Sequence, residues 1–344
     1  MRKALIVLLG ALPLVSGCGG SDSGGTATTT AGGGPIVAPA PTPTPTPAPA
    51  PTPTPSPTAS PVGFAAQAAA LYDVLPNATT CNAGVLKASV KQDFLTWLNG
   101  VRALHGLPAV SYSAVEDNQE AAAALMMAVN KALSHTPPTS WLCYSSDGAT
   151  AAGSSNLIGG WGTGLSFSTE DDALAGWLRE TNSASIGHRR WILDPFLGQV
   201  SYGRAAMVLP DGTRASTSAM RVFNFANGVT VTGSIPAFVA YPYHDYPSRY
   251  FQAGDYLSFT AIANASGAFG ANTGVSFAHA TIGVSGPSGS LAVSDVASDN
   301  DGYGVANSVQ WHVAGLQAGV TYTVTISGVT GAPQTSYSYT FRMT

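Results

Sequence analysis

A short run near the middle of the chain carries the residues best suited to chemistry. In the segment 182–195, His188 directly follows Gly187, and two arginines and a tryptophan come next. Glycine lets the backbone turn sharply or approach a ligand closely, and a neutral imidazole can bind a metal ion or exchange a proton. A lone Gly-His pair is weak evidence of function, because most isolated histidines are structural or lie at the surface. The pair therefore needs partners from elsewhere in the chain.

The composition bounds the class of protein. The chain has 344 residues, a formal net charge of -4, and only 9% charged residues. This length allows two ordinary domains plus extensions. Nucleic-acid-binding domains are typically basic, so we expect no nucleic-acid partner.

The first 17 residues have the pattern of a secretion signal. Two basic residues precede an apolar run over 4–15, which is too short to span a membrane. The signal ends in LVSGC at residues 14–18, which resembles the bacterial lipobox; this resemblance implies that Cys18 is lipidated and becomes the first residue of the mature protein. Ordinary secretion, with Cys18 removed or free, is the alternative. Gly19, and not aspartate, follows this cysteine, which in a diderm bacterium resembles lipoproteins sent on to the outer membrane. We therefore expect a cell-envelope protein in the outer membrane, attached only through lipid.

Residues 18–63 are expected to form a flexible stalk. The segment 19–34 is rich in Gly, Ser and Thr, and the segment 35–61 alternates proline with threonine or alanine. The alternating composition of 35–61 favours extended polyproline II and cannot build a core. At about 3.1 Å per residue, the proline-rich segment could hold a folded domain roughly 80 Å from its anchor.

The chain has three cysteines. If Cys18 takes lipid, Cys81 and Cys143 remain, and an even number of cysteines outside the cytoplasm favours a disulfide. We therefore predict a Cys81–Cys143 disulfide. The alternative is two separate buried thiols.

The segment 64–225 shows helical patterns followed by strands. Apolar residues at three- and four-residue spacing from Lys87 predict an amphipathic helix that stops near Gly106, with His105 at its end as a cap or surface residue. A second helix is predicted to begin with a capping box formed by Ser113 and Glu116. Further helices are predicted over 64–75 and 170–181, and strands over 200–203, 205–209 and 219–225.

Several short motifs occur in this segment in a fixed order. They are Leu98-Asn99-x-x-Arg102 with Gly106-Leu107-Pro108, Leu133-Ser134-His135 with Pro138, Ser155-Asn156-Leu157, Trp177-x-x-Glu180, and Gly187-His188-Arg189 with Ile192-Leu193. In this order and spacing, residues 90–225 resemble the CAP superfamily (cysteine-rich secretory proteins, antigen 5 and plant pathogenesis-related proteins; the SCP domain), and its bacterial branch in particular. The resemblance implies that 64–225 folds as an α-β-α sandwich.

The resemblance also implies a functional site. Members of this family carry two histidines and two acidic residues along a surface cleft, and the motifs place His135, His188 and Glu180 at three of these positions. At the fourth, before Asn156, this chain has Ser155 where the family has an acidic residue. The predicted cleft therefore has one anionic group fewer than the family pattern.

Two interpretations of these residues remain open. Neutral imidazoles of His135 and His188 can bind a divalent transition ion, most readily zinc, and Glu180 could then ligate it, orient a histidine or hold a water. Two histidines are too few for a closed zinc site, so such an ion would exchange and would leave at acidic pH. The alternative is a polar network that holds loops together, which Ser155 favours and in which Asn156 pins a loop. If a cofactor binds, we expect it to be zinc.

Composition changes after residue 225, where Gly, Ser, Thr, Val and Tyr dominate. Spacing and alternation predict a small immunoglobulin-like or fibronectin-like β-sandwich over 226–344, so the fold class is α+β, an α-β-α sandwich followed by a β-sandwich. The aromatic segment 241–247 either contacts carbohydrate or seals the junction between the two domains. Strands are predicted over 229–231, 256–261, 280–284, 308–313, 321–326 and 336–342.

Three hypotheses follow for the function. The first, which we favour, is a monomeric, non-catalytic binding module whose cleft recognises an envelope lipid, glycan or protein, or a divalent metal. The second is a metal-assisted hydrolase with His135 and His188 as ligands and Glu180 as general base; we find no Gly-x-Ser-x-Gly motif of a serine hydrolase. The third is a structural or adhesive surface protein whose contacts are made by the β-sandwich.

Overall fold

The structure, a computed structural model, describes residues 62–344 except residues 182, 184, 224–230, 232 and 266–270. The predicted signal peptide, Cys18 and nearly all of the predicted stalk lie outside the described residues, as does most of the predicted strand over 229–231. In the part that is described, no helix is both long enough and apolar enough to cross a membrane.

The helices lie in the first half of the described chain. They are α1 (Phe64–Ala69), α2 (Ala88–Leu104), α3 (Asp117–Asn130), α4 (Ser146–Ala152), α5 (Glu170–Arg179) and α6 (Gly187–Ile192). Helix α1 is shorter than predicted, because the chain after it extends and pairs as β1 (Tyr72–Val74) with β2 (Val85–Leu86). Helices α2 and α5 lie close to their predicted positions.

The predicted capping box at the start of α3 is wrong. The helix begins only after Glu116, its N-cap residue, and Ser113 Oγ donates to the Glu116 carboxylate at 2.9 Å. Ser201 Oγ donates to the same carboxylate oxygen, also at 2.9 Å. The Glu116 side chain therefore joins the start of α3 to a distant segment instead of capping the helix. A capping box is present at α5, where Thr169 pairs with Asp172.

A three-stranded antiparallel sheet lies at the centre of this half, in the order β4-β7-β6. The strands of this sheet are β4 (Ser155–Gly162), β6 (Tyr202–Val208) and β7 (Arg214–Arg221). Two short strands, β3 (Ser111–Tyr112) and β5 (Gln199–Val200), pair with each other. Strand β4 was not predicted, because its glycines hide the alternation that marks a strand.

Neighbouring residues of β6 show which helices cover each face, since successive strand residues point to opposite faces. At Gly203 an added Cβ would lie 2.2 Å from the backbone nitrogen of Ala121, so α3 approaches this face closely enough to require glycine. On the other face, Tyr202 stacks on Phe94 of α2 at 4.1 Å. Trp177 of α5 contacts Phe94 edge-on. Helix α3 therefore covers one face and α2 and α5 the other, which confirms the α-β-α sandwich.

The second half is built of strands. They are β8 (Phe238–Tyr241), β9 (His244–Tyr246), β10 (Leu257–Ala261), β11 (Thr281–Gly286), β12 (Gly289–Leu291), β13 (Val293–Asp299), β14 (Ser308–Val313), β15 (Thr321–Ser327) and β16 (Ser336–Met343). They form sheets of order β13-β14-β10-β8 and β12-β11-β15-β16-β9. Phe259 of the first sheet stacks on Tyr339 of the second at 6.2 Å. The predicted β-rich fold is therefore confirmed, while its immunoglobulin-like type stays a prediction.

Buried aromatic residues join the two halves. Tyr241 and Tyr246 are fully buried, which supports the interpretation of the segment 241–247 as a seal. One hydrophobic cluster contains residues from both halves, such as Trp177 and Trp311. The predicted domain boundary at 225–226 stays a prediction.

His105 is part of this junction. It ends α2 as predicted, but it is buried and not at the surface. Its Nδ1 lies 2.8 Å from the Ala240 carbonyl oxygen and its Nε2 3.0 Å from the Tyr246 hydroxyl. Burial lowers the pKa of His105 to about 3. The ring is therefore a neutral linker between α2 and the β-sandwich.

The predicted disulfide is confirmed. Cys81 and Cys143 are bonded across 62 positions of sequence. The bond ties the segment before β2 to the segment before α4. It therefore constrains the chain that follows His135.

Candidate functional site

His135 lies beyond the end of α3 and contacts the last turn of α4. Its Nδ1 is 2.7 Å from the carbonyl oxygen of Ala152, one of the carbonyls that a helix leaves without an internal partner at its end. A carbonyl oxygen can only accept, so Nδ1 carries the proton and the neutral ring has its lone pair on Nε2. The residue is exposed. His135 therefore offers an acceptor nitrogen at the surface.

His188 lies in the first turn of α6 and pairs with Glu180. Its Nδ1 is 2.9 Å from Glu180 Oε1. The Glu180 side chain is only 2% exposed, whereas that of His188 is 30% exposed. The carboxylate again accepts the Nδ1 proton, so a neutral His188 also has its lone pair on Nε2. Both histidines thus share one tautomer, each fixed by a different acceptor.

Glu180 also caps α6. Its Oε1 accepts from the backbone N–H of His188 at 3.2 Å, and its Oε2 accepts from that of Arg189 at 3.1 Å. These are two of the N–H groups that have no partner inside a helix, and a negative charge at this end is favourable. Because both oxygens are engaged and buried, the geometry supports a positioning role for Glu180. It gives no support to Glu180 as a solvent-facing general base.

The segment 152–156, from the end of α4 into β4, links the two histidines. Ala152 accepts from His135, and four residues later Asn156 Nδ2 donates to the backbone carbonyl of His188 at 3.0 Å. Asn156 thus holds the first turn of α6, and its predicted role of pinning a loop stays a prediction. The structure brings His135, Asn156, Glu180 and His188 around the segment 152–156. That the two rings line one cleft stays a prediction.

Ser155 faces away from His188, towards α3. Its hydroxyl donates to Glu120 Oε2 at 2.7 Å, and both side chains are buried. Arg221 Nη1 lies 3.9 Å from the other carboxylate oxygen, Glu120 Oε1. A carboxyl group therefore does lie next to the position where the family has an acid, but it comes from another element.

Sequence reasoning missed Glu120, although a signal was present. Glu120 precedes the buried residues Ala123, Ala124 and Met127 by three, four and seven positions. Helical periodicity therefore places it on the buried stripe of α3. Burial raises the pKa of Glu120 to about 8, against the lowering effects of the Ser155 hydrogen bond and the Arg221 charge. A buried acid on an alanine-rich stripe is unusual enough to mark the site.

The C-terminal end of α6 is fixed by Arg102 of α2. Its Nη1 donates to the carbonyl oxygens of Ile192 and Asp194 at 2.7 and 2.9 Å, and its Nε donates to that of Pro108 at 2.9 Å. Arg102 is fully buried. The arginine of the Leu-Asn-x-x-Arg motif thus satisfies the final carbonyls of the helix that carries His188.

The donors present fit an exchangeable metal ion better than an ion held in a closed structural site. Among the described residues, no cluster of three or more His, Cys, Asp or Glu could hold a metal. In each histidine Nδ1 lies beside a carbonyl or carboxylate oxygen, as in histidines that bind metals, and Nε2 is left as the possible ligand atom. Two such nitrogens could supply part of a coordination sphere, with water or a ligand supplying the rest.

A comparison with protein families identifies the domain that carries these residues. The family model of CAP, the cysteine-rich secretory protein family, matches residues 95–206. This range includes His135, Ser155, Asn156, Glu180 and His188. No curated protein matches the chain.

Glu120→Gln should change how stability depends on pH. The pKa of Glu120 is about 8 in the folded protein against an ordinary 4.5, so between these values the unfolded chain ionises first. Wild-type stability therefore loses at most about 1.4 kcal/mol per pH unit from this group as pH rises from 4.5 to 8. The variant lacks this loss, so its free energy of unfolding relative to that of wild type should increase as pH rises over the same range. Urea unfolding at pH 5, 6.5 and 8 measures the difference.

Asp93→Asn provides the control, since Asp93 is an exposed carboxylate on α2. Its stability profile should run parallel to that of wild type. A Glu120→Gln profile that also runs parallel would show that Glu120 does not titrate with a raised pKa.

Proposed function

Because the chain carries a CAP domain over residues 95–206, we propose that it is an extracytoplasmic binding module in which Nε2 of His135 and Nε2 of His188 contact the ligand. The observation that carries the proposal is the position of each Nδ1 beside an oxygen acceptor, Ala152 O at 2.7 Å for His135 and Glu180 Oε1 at 2.9 Å for His188. From this we infer that both neutral rings carry the proton on Nδ1. Each neutral ring therefore has only Nε2 left for a partner from outside.

The chemistry of this pair sets the kind of ligand. Two Nε2 lone pairs can accept from hydroxyl or amide N–H groups, which envelope glycans, lipids and proteins all carry. They do not complement an anion while the rings are neutral. A binding role is favoured over hydrolysis because the carboxylate nearest to His188, that of Glu180, is buried and has hydrogen bonds to both oxygens.

A divalent transition ion is the second candidate ligand. The arrangement in which Nδ1 donates to a carbonyl or carboxylate raises the basicity of Nε2 and orients it, as in known metal sites. Zinc, bound by His135 and His188, would supply a positive centre that holds a ligand oxygen. The chain's own contribution would be the fixed ring orientation.

The proposed location is the bacterial cell envelope. The support is the sequence of the first 18 residues, which combines a secretion signal with a lipobox-like end at Cys18. Several acyl chains on Cys18 would anchor the protein firmly, at about 0.8 kcal/mol for each buried CH₂ group. The proline-rich segment 35–61 would then separate the CAP domain from the membrane.

The His135→Ala/His188→Ala double variant should lose zinc binding. Titration calorimetry at neutral pH should show exchangeable binding to wild type and no specific heat with the variant. Glu180→Gln should weaken the affinity about 10- to 100-fold, since it changes the partner that orients His188.

A double variant of two exposed β-sandwich histidines, His244→Ala/His279→Ala, tests for adventitious binding. It should bind zinc like wild type. Equal heats from wild type and the His135→Ala/His188→Ala variant would contradict the metal form of the proposal.

Cys18→Ser should abolish lipid attachment. Wild type expressed in a diderm bacterium should incorporate labelled palmitate and partition into detergent, because the thiol of Cys18 carries the lipid. The variant should do neither. Labelling that survives the substitution, or wild type that enters the aqueous phase, would contradict the proposed anchor.

A further inference from the structure

Helix α6 is held along its side by the β-sandwich. Its two consecutive arginines, Arg189 and Arg190, are both buried, and each contacts residues beyond 240. Arg190 donates to Asp299 Oδ1 at 2.6 Å and to the Val305 carbonyl oxygen at 3.1 Å. The intervening loop touches α6 directly, because an added Cβ at Gly304 would lie 2.3 Å from the Arg190 carbonyl oxygen.

Arg189 makes the more specific connection. Its Nε and Nη2 donate to the carbonyl oxygens of Leu178 and Arg179 at 2.5 and 3.2 Å, at the end of α5. Its Nη1 donates to the Tyr256 carbonyl oxygen, next to β10, at 2.8 Å. The guanidinium carbon lies 3.9 Å from the ring centre of Tyr241. One planar group therefore bonds the end of α5 and the β-sandwich at the same time.

The two carbonyls on α5 directly precede Glu180. Glu180 has φ 46°, in the left-handed region that a non-glycine residue occupies at some cost. That turn directs its carboxylate towards α6, where it meets the N–H groups of His188 and Arg189. The Arg189 side chain thus donates to the two carbonyl groups that precede Glu180, while the Arg189 backbone N–H donates to the Glu180 carboxylate.

We propose that Arg189 is a positioning residue for the Glu180–His188 pair, and that through Arg189 the β-sandwich is part of the CAP site. This inference rests on the binding role proposed above for His188. In this inference the β-sandwich helps to position the Glu180–His188 pair, whereas the adhesive hypothesis gave it contacts of its own with other molecules. The guanidinium fork is required. The N–H groups of a lysine share one nitrogen atom, which cannot reach α5 and the β-sandwich together.

The test uses the full-length protein with ¹⁵N-labelled histidine. Long-range ¹H–¹⁵N spectra at about pH 8 report which ring nitrogen of each histidine carries the proton. In wild type, His135 and His188 should both be protonated on Nδ1. In Arg189→Met, His188 should shift towards protonation on Nε2 while His135, held by α4, should keep its signals.

Arg189→Lys should behave like Arg189→Met, although it keeps the positive charge. Zinc affinity should fall about 10- to 100-fold in both variants, as expected when the orientation of a ligand is lost. Arg342→Met is the control, because Arg342 forms a bidentate pair with Asp245 at the exposed surface of the β-sandwich. It should change neither histidine.

An unchanged His188 tautomer in folded Arg189→Met or Arg189→Lys would overturn the inference. Equal changes at His135 and His188 would also overturn it, since they would show a general effect on stability. If wild type binds no zinc, the metal form of the proposed function fails, but the tautomer of His188 still decides the role of Arg189.

Discussion

The site depends on how a six-residue helix, α6, is kept in place. A helix this short cannot form on its own in water, and its terminal N–H and C=O groups need partners because they are buried. Glu180 accepts from the first N–H groups, and Arg102 donates to the last carbonyls. Both side chains are themselves buried. Each charge therefore lies at the helix end whose dipole it complements.

This constraint gives His188 a defined chemistry. The carboxylate that caps the start of α6 also accepts the Nδ1 proton of His188, so one group contributes both to the helix position and to the ring tautomer. His135 reaches the same tautomer through the end of another helix, α4. The proposed binding role depends on such fixed orientation more than on reactivity. Arg189 and Arg190 bond the same short helix to the β-sandwich.

Part of the fold could be predicted from the sequence. Helical periodicity located α2 and α5, and the cysteine count predicted the disulfide. Alternation located about half of the strands, among them β10, β14, β15 and β16, and missed the short or glycine-containing ones. Strand β4 was missed because glycines carry no alternation. The capping box at Ser113 was wrong because a distant residue, Ser201, also donates to Glu116. The contact between Glu120 and Ser155 spans 35 positions, and no local pattern specifies such a pair.

Hydrogen exchange of the His188 and Arg189 backbone amides, followed by NMR in wild type and Glu180→Ala, measures directly whether Glu180 holds the start of α6. If Glu180 caps α6, both amides exchange slowly in wild type and much faster in the variant, while amides in the centre of α3 keep their rates. Rapid exchange of both amides in wild type, or equal rates in the two proteins, would show that Glu180 does not hold the start of α6.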